Sequence, residues 1–166
     1  MNIQEYQLSA YKFVPKKTEH LTQMAVLALG LSGEASEVLG ESDHTHWTKH
    51  ERDLLVLEIG DVFWYLAMLC HHLSLPLPVV GVPDPNVALG TAMHAVIIHV
   101  GVVTECVKKH VGHHKDLDTA KITAAMQQIL NHLHVIAVYR GHTDLGTVFS
   151  KNIAKLTARY PNGCPF

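Results

Sequence analysis

Apolar residues recur at three- and four-residue intervals along almost the whole chain, which is the spacing of one face of an α-helix; neither strand alternation nor a βαβ pattern appears. This periodicity predicts an all-α bundle of about five to six helices in a single domain over residues 1–166. Residues 2–14 carry Ile3, Tyr6, Leu8, Tyr11 and Phe13 and stop before Pro15. Thr18 offers an N-cap for a helix to about Gly40, with Leu21, Met24, Ala25, Leu27, Ala28 and Leu31 on its apolar side. ESDHTHW, residues 41–47, reads as a polar loop. Thr48 and Glu51 have capping-box spacing and open a helix to about Leu73. LPLPVVGVPDPN holds four of the seven prolines and cannot be helical. Helices over about 87–110 and 117–140 follow, separated by VGHHKD, and a last helix over 143–159 stops before Pro161.

A length of 166 residues suits one domain with a real core, and 48% apolar with 17% charged residues marks a globular chain. A net charge of −2 gives no bulk attraction for nucleic acid or an anionic membrane. No uninterrupted apolar run reaches bilayer length, since residues 95–103 are broken by His99, and the N-terminus lacks the plan of a signal peptide. Cys70, Cys106 and Cys164 form no CxxC motif, which fits a reducing cytoplasm. Histidine is abundant, at 14 residues, with His44 and His46, His71 and His72, and His110, His113 and His114 close together. Solvated helix ends and loops account for them; a zinc-binding tract is the alternative.

The chemistry concentrates in two carboxylate pairs. Glu34 and Glu37 are three apart in one predicted helix, and Glu58 and Asp61 three apart in the next, so each pair shares a face. Both pairs lie in apolar stretches and the connecting loop is short, so the helices are expected to be antiparallel neighbours with all four acids converging. Converging carboxylates raise one another's pKa and call for a cation. Oxygen-only donors suit Mg²⁺.

The helix pairs also match one another. EIGDVFWYLAMLCHHLSL aligns with QILNHLHVIAVYRGHTDL at an offset of 70, and LSGEASEV with HVGVVTEC at 68. Residues 76–142 therefore read as a degenerate second helix pair, in which Glu34, Glu58 and Asp61 become Val102, Gln128 and Asn131.

GLSGEASEV and EIGDVFWYLAML, with a spacer over residues 38–57, resemble the MazG family of all-α NTP pyrophosphohydrolases, whose hallmark is ExxE, a spacer, then ExxD. NIAKLTARYPNG is similar to the ending of its short, phage-like members, so the resemblance covers about residues 1–75 and 143–163. It implies hydrolysis between the α- and β-phosphates of (deoxy)nucleoside triphosphates to monophosphate and pyrophosphate. It also implies Glu34, Glu37, Glu58 and Asp61 as ligands of Mg²⁺, with Mn²⁺ as a substitute. Such a metal lowers the pKa of a bound water and neutralises charge developing on phosphorus. The resemblance places Asn152, Lys155, Arg159 and Tyr160 towards the substrate; Lys49 is a further phosphate candidate and Trp64 a base contact. It implies a homo-oligomer, a dimer, while the net charge and the interrupted apolar runs argue against nucleic acid or a membrane as partner. Some relatives carry a further Glu where this chain has Gly33, which leaves the general base open between a metal-held hydroxide and a ligand carboxylate. Trp47 either covers a base or closes the bundle. The narrower alternative is a dUTP- or dCTP-selective diphosphatase, and the competing class is a non-catalytic helical nucleotide- or metal-binding module.

Overall fold

A computed structural model describes residues 1–14, 19–42 and 47–163. Pro15, the expected N-cap Thr18, His44, His46 and Cys164 lie outside the described residues. Among the described residues the chain is all-α, with no strand. Its helices are α1 (Ile3–Ala10), α2 (His20–Ser42), α3 (Lys49–His72), α4 (Leu89–His113), α5 (Thr119–Tyr139) and α6 (Leu145–Arg159), and a short 3₁₀ turn (Tyr11–Phe13) follows α1.

Local chemistry explains several ends. Thr48 accepts from the Glu51 N–H while the Glu51 carboxylate accepts from the Thr48 N–H, so the expected capping box opens α3. Asp118 and Asp144 cap α5 and α6 by their side chains, accepting from the Lys121 and Thr147 N–H groups. Two boundaries differ from the sequence reading. α2 continues through Glu41 to Ser42, because the Ser42 hydroxyl donates to the Val38 carbonyl (2.6 Å) and is buried there. α4 takes in Val111, Gly112 and His113 and ends on His114 in the left-handed conformation, whose N–H donates to the Lys109 carbonyl.

α2 lies antiparallel to α3 and to α4. Gly30 faces Tyr65 on α3, and Ser32 Oγ meets Thr104 Oγ1 at 2.9 Å on α4. α3 and α4 therefore run in the same direction, and the chain between them must return the length of the bundle. It does so along α5. Gln127 donates to the Val79 carbonyl (2.7 Å), the Gly81 N–H donates to Asn131 Oδ1 (3.2 Å), and His134 meets the Gly81 carbonyl (2.8 Å). Backbone groups that the prolines bar from a helix are satisfied in this way. Asn131, the counterpart of Asp61 in the aligned repeat, here anchors the linker.

The core fills the space between these four helices, with Leu31, Leu55, Ile59, Leu66, Met126, Ile129 and Leu133 fully buried. α6 and α1 pack on the other side of α3. Tyr6 stacks on Phe149 at 4.5 Å and Phe63 meets Phe149 edge-on at 5.0 Å. A Cβ at Gly60 would stand 2.8 Å from Asn152 Cβ, so this glycine sets the closeness of α3 and α6.

α3 and α4 are each long and apolar enough to cross a bilayer on length and composition. The expectation from uninterrupted runs missed this, because scattered polar residues break a run without lowering the average much. α3 is mostly buried as a core helix, while α4 keeps an exposed outer face that includes Ile98.

Candidate metal and phosphate site

The sequence spacing places Glu34 and Glu37 one turn apart on α2, opposite Glu58 on α3. In the fold one carboxylate oxygen from each of these three lies within 4.8 Å of the others, the arrangement that can hold a metal ion. Glu34 and Glu58 are half-buried and Glu37 is exposed. Burial first, then the charges of Asp61, Glu37 and Glu58, push the Glu34 carboxyl from its ordinary 4.5 to about 7. Glu58 is also raised, by burial first; Lys155 offsets part of this, and Asp61, Glu37 and Glu41 add to it.

Asp61 stands beside this trio with partners of its own. Its Oδ1 accepts from Asn152 Nδ2 at 2.7 Å, and its Oδ2 pairs with the Lys155 ammonium. Lys155 also lies 3.9 Å from Glu58 Oε2. Burial pulls the Lys155 pKa down, but Asp61, Glu58 and Glu34 outweigh it and raise it overall. Asn152 is fully buried, and its Oδ1 accepts from the Tyr6 hydroxyl at 2.9 Å. Tyr6 is fully buried too, and burial, with the Asp61 charge second, holds its phenol well above 10, so the hydroxyl remains a neutral donor.

A cavity of about 260 Å³ opens next to the acids, lined by Glu34, Asp61, Trp64, Tyr65, Lys155, Arg159 and Tyr160. Trp64 and Tyr65 meet edge-on at 4.9 Å, and the Arg159 guanidinium lies 5.4 Å from the centre of the Tyr160 ring. Phe63, which directly precedes Trp64 and Tyr65 in the chain, is core. Tyr65 approaches α2 closely because Gly30 has no side chain; a Cβ there would overlap the far edge of the ring. Burial, then Glu34 and Asp61, raises the Tyr65 phenol.

Of the residues singled out by sequence, Glu34, Glu37 and Glu58 are brought together, with Asp61, Asn152, Lys155, Arg159, Tyr160 and Trp64 around them. Lys49 is placed differently: it pairs with Asp53 at 2.6 Å on the exposed first turn of α3, and Lys151 pairs with the same carboxylate at 2.6 Å. Trp47 packs on the core under the Arg140 guanidinium, 4.6 Å from its ring centre, and closes one end of the bundle. Arg52 donates to the Trp47 carbonyl at 3.0 Å.

The histidines engage neighbours of other kinds. His20 stacks on His72 at 4.1 Å, His71 lies against Tyr11 at 4.3 Å, and His110 meets the Lys115 carbonyl at 2.7 Å. Among the described residues no group of three or more metal-ligating side chains includes a histidine.

Sequence reasoning passed over Tyr6 and Gly30. Tyr6 reads as one more apolar helix position, and its hydrogen bond to Asn152 spans 146 positions, beyond any local pattern. Gly30 carried no distinguishing signal, since Gly33 and Gly40 lie in the same helix with open space where a Cβ would stand. Comparison with protein-family models, with curated proteins and with solved structures finds no match for this chain.

Proposed function

We propose that the chain is a Mg²⁺-dependent nucleoside triphosphate pyrophosphohydrolase of the MazG type, cutting (deoxy)nucleoside triphosphates to monophosphate and pyrophosphate. The observation that carries this reading is the convergence of Glu34, Glu37 and Glu58 at the edge of a cavity that also presents Lys155, Arg159 and aromatic rings. The trio offers only hard oxygen donors, and burial first, then the neighbouring carboxylates, raises the Glu34 carboxyl, both of which a divalent cation would offset. When bound, such a cation neutralises charge on the phosphates and polarises the phosphoryl group.

The protein's own residues position the substrate. Lys155 and Arg159, one turn apart on α6, supply N–H donors for phosphate oxygens. Trp64, Tyr65 and Tyr160 offer flat apolar surface for a nucleobase. Asp61, held by Asn152 and Lys155, is the fourth acid of the site. With little covalent chemistry to perform, positioning and electrostatics supply most of the rate. The same reading carries a cytoplasmic setting, control of nucleotide pools and a homodimer.

The test is incubation of the protein with each common NTP and dNTP plus Mg²⁺, following monophosphate and pyrophosphate together, with Glu58→Gln as control. Metal-dependent release of both products, lost in the control, is expected. Release of diphosphate and orthophosphate would place the cut elsewhere. Nucleotide binding without turnover would favour the non-catalytic module, and one base preferred by about 100-fold in kcat/KM would identify a base-selective diphosphatase.

A further inference from the structure

Tyr6, Asn152 and Asp61 form a buried line from the N-terminal helix to the acidic site. The Tyr6 hydroxyl donates to Asn152 Oδ1 at 2.9 Å, and Asn152 Nδ2 donates to Asp61 Oδ1 at 2.7 Å. The Tyr6 hydroxyl also lies 3.4 Å from the Gly60 carbonyl, one residue before Asp61. Both Tyr6 and Asn152 have no exposed surface, so no solvent competes for these bonds.

An asparagine side chain has two nearly isosteric ends, one accepting and one donating. Only the donating end suits Asp61; the other would set two acceptors against each other. The acceptor-only carboxylate of Asp61 takes the N–H₂, and the Tyr6 hydroxyl donates to the Oδ1 left at the opposite end, so the amide is held at both ends in this orientation. We propose that Tyr6 is a positioning residue for the acidic centre: its hydroxyl locks the Asn152 amide with the N–H₂ towards Asp61. Asp61 is thereby held in one rotamer facing the cavity. The role rests on the acidic centre being the divalent-cation site proposed above. It gives α1, far from the motif in sequence, a direct part in the site.

The experiment uses the full chain and Mg²⁺ alone, by calorimetry, together with steady-state turnover of whichever triphosphate the wild type hydrolyses. Tyr6→Phe retains the ring that stacks on Phe149 and removes only the hydroxyl. Loss of an outer partner of a metal ligand typically weakens metal binding by about 10-fold or more. Tyr6→Phe is therefore expected to weaken Mg²⁺ binding about 10-fold and lower kcat similarly, with KM within about 2-fold. Asn152→Ala should do the same, and the double variant should be no worse than Asn152→Ala, because both changes break one line. Phe149→Leu perturbs the same packing without touching the amide, and should lower stability while leaving Mg²⁺ affinity unchanged.

Wild-type Mg²⁺ affinity in Tyr6→Phe would overturn the proposal. So would additive effects of Tyr6→Phe and Asn152→Ala, or an equal loss of affinity in Phe149→Leu. A wild type that binds Mg²⁺ but hydrolyses no triphosphate removes the proposed reaction alone, and the calorimetric comparison still decides the role of Tyr6. A wild type that binds no Mg²⁺ overturns both.

Discussion

Replacing Glu34 by Gln should stabilise the metal-free protein at pH 8 and have little effect at low pH. The structure half-buries Glu34 and sets it within 4.8 Å of two other carboxylates, so burial first and then their charge move its carboxyl from 4.5 to about 7. A shift of that size corresponds to ~3 kcal/mol of differential interaction. Because Glu34 retains considerable exposure, solvent screening reduces this to ~1–2 kcal/mol. The folded value is the raised one, so folding takes up a proton between the two values. Stability from this group is fully present below about pH 4.5 and is lost as pH rises through about 7. Glutamine resembles the protonated acid at every pH. In EDTA at pH 8 the variant should therefore be the more stable by ~1–2 kcal/mol, or several degrees in Tm for a chain of this length. At pH 5 the difference should fall to about a quarter of that, because Glu34 is then largely protonated in the folded state. Circular-dichroism melts of both proteins at the two pH values measure this. If the proposed cation site is right, millimolar Mg²⁺ at pH 8 should reverse the order, since the wild type alone keeps all the carboxylates proposed to hold the ion. A variant less stable than wild type in EDTA at pH 8, or an equal difference at both pH values, would refute the reasoning from burial and neighbouring charge.

Gly30→Ala should displace the far end of the Tyr65 ring, cost ~1–3 kcal/mol of stability, and shift the emission of the neighbouring Trp64, read by thermal melts and fluorescence. Asn131→Ala removes the acceptor of the Gly81 N–H and of Gln127, so a loss of ~1–2 kcal/mol is expected, with new cleavage near residues 79–81 in limited proteolysis. Burial pushes the Cys70 thiol up to about 12, so Cys70 should resist alkylation at pH 8 in the native protein and react only after denaturation, as mapped by mass spectrometry.

Some of this protein is determined by its sequence alone, and that part is local. Apolar spacing decides where helices form, Thr48 and Glu51 open α3, and prolines forbid a helix between α3 and α4. The same local rule puts Glu34 and Glu37 on one face, and Glu58 and Asp61 on another, because side chains three apart in a helix are neighbours whatever surrounds them. What lies across a face depends on which helices meet, and only the tertiary structure decides that. It gathers Glu34, Glu37 and Glu58 and gives Asp61 to Asn152 and Lys155, whereas spacing alone treats the four acids alike. It sends Lys49 to Asp53, Phe63 to the core, and Trp64 and Tyr65 to the cavity, though the three aromatics are consecutive. It also joins Tyr6 to Asn152 across 146 positions. Hydrogen bonds and packing of this kind act over a few ångströms in space and carry no mark in the chain, so they become visible only once the helices are in place.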